Sequence, residues 1–225
     1  MNMFKTECMS KSQATRDKIS GIAIQSFRDR GYEQTTLRLI AAEADVSVGN
    51  AYYYFPTKNH LVQELYVRVQ EEHRARAEPR LESVEGLAPR LVIALETGLR
   101  TLEPYHSSAS GFLAAAISPT SAVNPLSEGS TAARELAVSL FRDVVEGSTT
   151  ALPARLKTAL PELLWFAYLG LALYWVYDQS PGQGKSRVLL RRSCALFGTV
   201  LPLLRLPFVR GPLDEALDIV EEARA

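Results

Sequence analysis

Between Thr35 and Lys58 the chain reads TTLRLIAAEADVSVGNAYYYFPTK, and its chemistry is concentrated in the last third. Taking about 100° per residue from Val48, the residues Val48, Ala51, Tyr52 and Phe55 share one face of a short helix, and Gly49, Asn50, Tyr53 and Tyr54 take the other. A solvated helix face ordinarily carries Lys, Glu and Gln. A carboxamide, two phenols and a glycine are instead groups that can read a base edge, touch a phosphate and allow close backbone approach. The expected chemistry is recognition. Catalysis has no comparable support: the serines around Ser107, Ser118 and Ser127 lack a Gly-x-Ser-x-Gly turn, and no glycine loop for phosphate appears. His60, His73 and His106 show no metal spacing and read as surface or capping residues, and Cys8 and Cys194 match no zinc or redox pattern. No catalytic residue, metal or cofactor is expected.

The elements that must position this face are helices. Apolar residues recur at helical spacing almost throughout and no stretch alternates as a hairpin strand does, so the class is all-α. Ile19, Ile22, Ala23 and Phe27 predict a first helix over 15–30, stopped by Gly31. Thr35 and Thr36 offer caps for a second, short helix carrying Leu37, Ile40, Ala41 and Ala44. The 45–47 turn follows, with Ser47 as cap of the third, and Pro56 ends that helix. Thr57 can cap a fourth helix with Leu61, Leu65 and Val69 on one side, and Pro79 marks a domain border. Further helices are expected near 88–102, 107–117, 131–146, 161–178, 185–204 and 212–223. Two short helices around a three-residue turn, braced by a longer one, match the helix-turn-helix plan of DNA binding.

Composition permits this and adds bounds. A chain of 225 residues, 47% hydrophobic and 22% charged, can bury a core, and its 25 basic and 25 acidic side chains exclude a global field drawing it to nucleic acid or an anionic membrane. Residues 1–76 carry 11 Lys and Arg against 9 Asp and Glu, too small a surplus to diagnose DNA binding. The N-terminus has no apolar stretch of signal-peptide length, and the longest apolar run, 163–177, falls short of the roughly 20 residues that span a bilayer. A cytoplasmic protein without membrane association is expected.

From Thr15 to Tyr66 the sequence resembles the N-terminal domain of the TetR family of one-component transcriptional regulators. The resemblance rests on Phe27 to Tyr32 as Phe-x-x-x-Gly-Tyr, then Thr35-Thr36, Ile40-Ala41, Val46-Ser47, Gly49, Tyr52, Phe55 and Lys58. It implies a three-helix DNA-binding domain with a helix-turn-helix, followed by a larger helical ligand-binding and dimerisation domain. The division expected is a flexible tail over 1–13, the DNA-binding domain over 14–60, a connecting helix over 61–80 and the C-terminal domain over 81–225. It further implies that Thr36 bonds a phosphate, Arg38 reaches a phosphate or guanine edge, and Ser47 caps the recognition helix. Val48, Gly49, Asn50 and Tyr52 approach bases, Tyr53 touches backbone or a thymine methyl, and Lys58 anchors a phosphate with Tyr54 beside it. Asp45 stands where the family most often has glycine, Val48 where a basic residue is frequent, and Ala51 where a larger apolar residue is usual.

By the same resemblance the last two long helices form a homodimer seam, here through Leu163, Leu171, Trp175, Leu189, Leu196, Phe197 and Val200. The run LLWFAYLGLALYWVY agrees, being apolar all round. A small-molecule pocket is implied nearby, with Tyr105, Phe112, Phe141, Trp165 and Tyr168 as lining and Glu96 and His106 as polar anchors. The reading is a homodimeric repressor released from a near-palindromic operator in double-stranded DNA by a small apolar or amphipathic inducer. The alternative is a small-molecule binding protein with a vestigial DNA-binding domain; an all-α enzyme lacks an acid, base or nucleophile constellation.

Overall fold

The computed structural model describes residues 3–222 of the chain, in which α-helices and short 3-10 turns are the only regular elements. Two compact units divide it, and neither is contiguous. The first holds the chain up to Val69 together with Leu102–Arg134; the second holds Gln70–Thr101 and the chain from Glu135 onward. The chain thus leaves the first unit near residue 70, returns at residue 102, and leaves again after residue 134.

In the first unit, α1 (Met3–Gln34) starts well before residue 15, so from Met3 the expected tail is helical; Met1 and Asn2 lie outside the described residues. Gly31 interrupts α1 at φ 77, and a Cβ there would sit 3.0 Å from the Ser108 hydroxyl. α2 (Leu37–Glu43) and α3 (Val48–Tyr54) follow, then α4 (Lys58–Leu81), whose residues up to Val69 belong to this unit. Ile19, Ala23 and Phe27 of α1 form one core with Leu37, Ile40, Ala41, Ala51, Phe55, Leu61, Val62 and Leu65. Tyr105, in a 3-10 turn over Glu103–Ser108, joins that core, and Phe112 of α6 (Ala109–Ala116) packs on it. A helix expected over 107–117 is thus a 3-10 turn followed by a shorter α-helix. Asp45 closes the α2–α3 turn at φ 50, a left-handed conformation that Asp tolerates better than most residues.

In the second unit, α5 (Leu87–Leu102, up to Thr101), α7 (Thr131–Glu146, from Glu135), α8 (Ala154–Tyr177), α9 (Gly184–Val200) and α10 (Pro207–Glu222) surround Leu91, Leu95, Leu140, Phe141, Val144, Leu164, Trp165, Leu171 and Leu190. Buried Arg90 donates to the carbonyls of Leu81, Val84, Asp143 and Val144 at 2.7–2.9 Å, satisfying chain ends that would otherwise be orphaned. Between α8 and α9, burial pushes the Asp178 carboxyl up, but hydrogen bonds from the hydroxyls and backbone N–H groups of Ser180 and Ser186 outweigh it and hold the group well below the usual carboxylate range. α10 is tied to the start of α8 by Arg155, 2.6 Å from Asp218 and 3.0 Å from Glu221.

Three prolines taken as borders or starts lie inside helices instead: Pro79 in α4, Pro161 in α8 and Pro212 in α10. Proline removes one hydrogen bond, but packing on both sides can carry a helix through it. α8 therefore begins at Ala154 rather than at Pro161. It becomes long and apolar enough to cross a bilayer by length and composition, while Leu164, Trp165, Tyr168, Leu171 and Trp175 are buried within their own unit. α9 ends at Val200, with a 3-10 turn over Leu201–Arg205, and Ala223, where the last helix was expected to end, lies outside the described residues.

His73, expected as a surface or capping residue, is 1% exposed on α4 in the second unit. Its Nε2 pairs with the Ala94 carbonyl at 2.8 Å, its ring lies 5.5 Å from that of Tyr168, and Gly98 permits the approach, since a Cβ there would fall 2.7 Å from Tyr168 Cε2. Burial lowers the imidazole pKa below its ordinary 6.5, only partly offset by the Ala94 bond. The unfolded chain then takes up a proton near pH 6.5 that the folded chain refuses, so this contribution to stability is complete above that pH and is lost as pH falls through it.

Two outcomes are expected. Urea unfolding followed between about pH 5 and 7 should show stability falling on acidification, with a shallower slope in His73→Gln; equal slopes would exclude His73 as the source. Asp45→Val should cost about 1–2 kcal/mol in the same measurement while Asp45→Gly stays within about 0.5 kcal/mol of the parent, because only the β-branched residue meets the left-handed strain in full.

Candidate nucleic-acid interface

The two short helices are built from their caps inward. Thr36 is extended at φ -129 and its hydroxyl accepts from the Leu39 N–H at 3.2 Å, capping α2. Thr35, the other candidate cap, is buried and donates its hydroxyl to the Gly31 carbonyl at 2.8 Å. Ser47 caps α3 by accepting from the Asn50 N–H at 3.1 Å. Thr57 does not cap through its hydroxyl, which pairs with the His60 ring at 2.8 Å. Arg16 braces α3 from beneath, 5.1 Å from the Phe55 ring centroid and 2.6 Å from Glu64, and Arg30 ties α1 to Glu43 of α2 at 2.7 Å.

The uncovered flank of α3 is turned relative to the helical-wheel expectation. Ala51 and Phe55 are buried, but Val48 and Tyr52, assigned to the same inner face, are 39% and 49% exposed. Gly49 is exposed and Tyr53 is 77% exposed, so the open flank is Val48, Gly49, Tyr52 and Tyr53. Asn50 is half-buried at its edge. Tyr54 is drawn inward: its hydroxyl lies 3.1 Å from that of Ser12 on α1 and its ring meets Tyr53 edge-on. The corrected division arises because the core lies under Ala51 and Phe55, with Tyr54 packed at its edge.

Two cations lie on the helices before and after α3 in the chain. Arg38 is exposed on α2. Lys58 is half-buried at the start of α4, its Nζ 3.8 Å from the Tyr32 ring centroid and 3.5 Å from the Glu33 carbonyl. Desolvation lowers the Lys58 pKa, with Glu33 opposing it, and burial beside Glu33 raises that of Tyr32. Capped N-termini, open phenols, a glycine and two cations make a surface able to bond phosphates and approach base edges.

The residues assigned to a ligand pocket fall into two groups. Tyr105, His106 and Phe112 belong to the first unit, where Tyr105 accepts from Arg28 Nε at 2.9 Å and Phe112 packs edge-on against Phe27 and Tyr32. Glu96, Phe141, Trp165 and Tyr168 belong to the second, where Glu96 pairs with Arg191 at 2.9 Å and Phe141 lies 6.0 Å from Tyr168. An apolar groove of about 290 Å³ between α5, α8 and α9 is lined by none of the seven; Leu95, Leu164, Gly170, Leu190, Cys194 and Phe197 are among its walls. Burial pushes the Cys194 thiol up to about 11, which makes it a poor nucleophile.

Of the seam residues, Leu189, Leu196 and Val200 are exposed and Leu163 and Phe197 half-buried, but Leu171 and Trp175 face the interior of their own unit. The exposed large apolar residues of α8 are Phe166, Leu173, Tyr174 and Tyr177. Sequence reasoning missed these four because a helix apolar all round does not reveal which side its own chain covers. It also missed His73 and Gln70, whose Nδ1 and Oε1 are buried without a hydrogen-bond partner among the described residues. No motif marks either.

Comparison with known proteins places this geometry. The profile of bacterial regulatory proteins of the tetR family matches residues 22–65, and that of the tetracyclin repressor-like C-terminal domain matches residues 90–222. An uncharacterised HTH-type transcriptional regulator of Mycobacterium bovis is 42% identical over 57 residues, 25% of this chain and 27% of its own length. The chain thus matches about a quarter of that relative's length. A TetR transcriptional regulator from Rhodococcus sp. RHA1 superposes with a TM-score of 0.60 at 17% identity, covering 82% of this chain and 96% of the other. FadR from Bacillus subtilis, solved with stearoyl-CoA, superposes at 0.55 with 16% identity over 82% and 96%. With profiles matched in both parts of the sequence, one of them over more than half its length, the chain belongs to the TetR family of DNA-binding transcriptional regulators.

Proposed function

We propose that the protein binds a near-palindromic operator as a homodimer, represses transcription there in the cytoplasm, and is released by a small apolar or amphipathic ligand. The observation that carries the reading is the open Val48, Gly49, Tyr52 and Tyr53 flank on a helix closed by a side-chain cap, with Arg38 exposed on the preceding helix and Lys58 at the start of the following one. In this reading Asn50 and the flank address bases, Thr36 and Lys58 hold phosphates, and Ser47 and Tyr54 keep α3 in place.

One seven-residue helix covers only a few base pairs, so specificity calls for two copies about a two-fold axis. The exposed apolar faces of α8 and α9 supply the surface such a pairing would cover: Phe166, Leu173, Tyr174 and Tyr177 on one helix, Leu189, Leu196 and Val200 on the other. The apolar groove opens on it beside Ala167, Gly170 and Leu189. The tetracyclin repressor-like C-terminal profile supports repression as the sign of regulation. For the ligand, the FadR neighbour holding stearoyl-CoA illustrates this fold accommodating an amphipathic molecule. Buried Gln70 Oε1, and His73 Nδ1 beside Tyr168, are acceptors that a ligand donor could engage. Such a ligand acts only by binding the DNA-incompetent arrangement more tightly than the competent one.

Selection from a random duplex pool should enrich a near-palindrome; no enrichment would favour the reading in which the DNA-binding part is vestigial. On the enriched duplex, Asn50→Ala should relax preference at a defined base, whereas Lys58→Ala should weaken binding to all sequences and flatten the salt slope by about 1. In sedimentation, Leu196→Glu should convert a dimer to a monomer and abolish preference for the paired half-sites over one; an unchanged dimer would place the seam elsewhere.

A further inference from the structure

Lys58 occupies an awkward place for a cation. It opens α4, where the helix dipole is positive, and an ammonium there is disfavoured until an anion arrives. A long side chain in that position would ordinarily swing into solvent. Here it is half-buried, with Nζ 3.8 Å from the Tyr32 ring centroid and 3.5 Å from the Glu33 carbonyl. The ring's negative face and the carbonyl oxygen together supply the attraction that the helix end lacks.

Tyr32 is itself fixed from two directions. Gly31, at φ 77, breaks α1 and turns the following residue toward α4. Phe112 of α6 meets the Tyr32 ring edge-on at 5.8 Å and leans on Phe27 at 5.4 Å, so the ring under Lys58 is the outermost member of a stack rooted in the core of the first unit. The backbone at Gly111 approaches the same side chain, an ideal Cβ there lying 3.5 Å from Tyr32 Cβ.

We propose that Tyr32 is a positioning residue for DNA binding: its ring, held by Phe112, presents the Lys58 ammonium at the mouth of α4 for a phosphate. The inference rests on Lys58 being a phosphate contact, as proposed above. A lysine already held over a ring has less rotamer freedom to lose when it grips an anion, and an incoming phosphate completes the neutralisation that ring and carbonyl begin. Phe112 thereby acquires a role apart from ligand lining. It lies within the segment matched by the C-terminal family profile, yet it supports a side chain of the DNA-binding helices.

The test uses the full-length protein and the enriched duplex, with a mixed-sequence duplex as control, titrated at several salt concentrations. The variants are Tyr32→Leu, Tyr32→Phe, Lys58→Ala and the Tyr32→Leu, Lys58→Ala double, each checked by thermal denaturation. Tyr32→Leu should weaken binding by roughly three- to tenfold and flatten the salt slope toward that of Lys58→Ala. Tyr32→Phe, which keeps the ring face, should bind as the parent does. In the double variant the loss should be no greater than in Lys58→Ala alone, since Tyr32 acts through that ammonium. Should Tyr32→Leu not fold, Phe112→Leu takes its place in the same cycle, with a smaller loss expected. Additive losses would reduce Tyr32 to a structural residue, and tighter binding by Tyr32→Leu would show that the ring withholds Lys58; either overturns the proposal. Lys58→Ala without effect on affinity or slope would instead overturn the phosphate assignment, and the inference with it.

Discussion

Helices of seven residues do not survive alone in water, because the first turn fixes several dihedrals for a single hydrogen bond. Everything at the candidate interface depends on how α2 and α3 escape that limit. Each is closed at its start by a hydroxyl, Thr36 or Ser47, and each buries a minimal inner face: Leu37, Ile40 and Ala41 from one, Ala51 with Phe55 from the other. Against Ile19, Phe27 and Leu61 that face suffices with Tyr54 packed at its edge, and it leaves Val48, Gly49, Tyr52 and Tyr53 exposed. A larger inner face would have consumed Val48 and Tyr52. The economy of the buried side is what permits a reading side at all.

Charge acts here by placement rather than by quantity. The chain as a whole is neutral and its first 76 residues carry a surplus of only two, so long-range attraction to a polyanion is weak. What the fold adds is position. Arg16 and Arg30 are spent on Glu64 and Glu43, bracing α1 against α4 and α2, whereas Arg38 is exposed on α2 and Lys58 stands at the start of α4. Equal numbers of basic residues thus divide into structural and outward-facing sets that composition cannot separate.

The second unit solves a different problem, the joining of long apolar helices through polar turns. Arg90 gathers four carbonyls, Asp178 gathers four donors, and Arg155 ties α10 to α8. With those connections satisfied, α8 and α9 can leave one apolar side uncovered, and the same unit buries His73 in its neutral form beside Tyr168.

Local rules were enough for what is local in the chain. Helical spacing placed the helix-turn-helix, Thr36 and Ser47 were legible as caps, and Phe27 through Lys58 carried the family resemblance, because caps and periodicity act over a few residues. Non-local contacts decided the remainder. Which side of α3 lies open depends on where α1 and α4 stand, and a helical wheel knows neither. Helices continue through Pro79, Pro161 and Pro212 because packing outweighs a lost hydrogen bond, and His73 is buried by α5 and α8 rather than by its neighbours in sequence. Tyr32 meets Phe112 through the return of residues 102–134 to the first unit, an encounter set by chain topology that no spacing between those residues encodes.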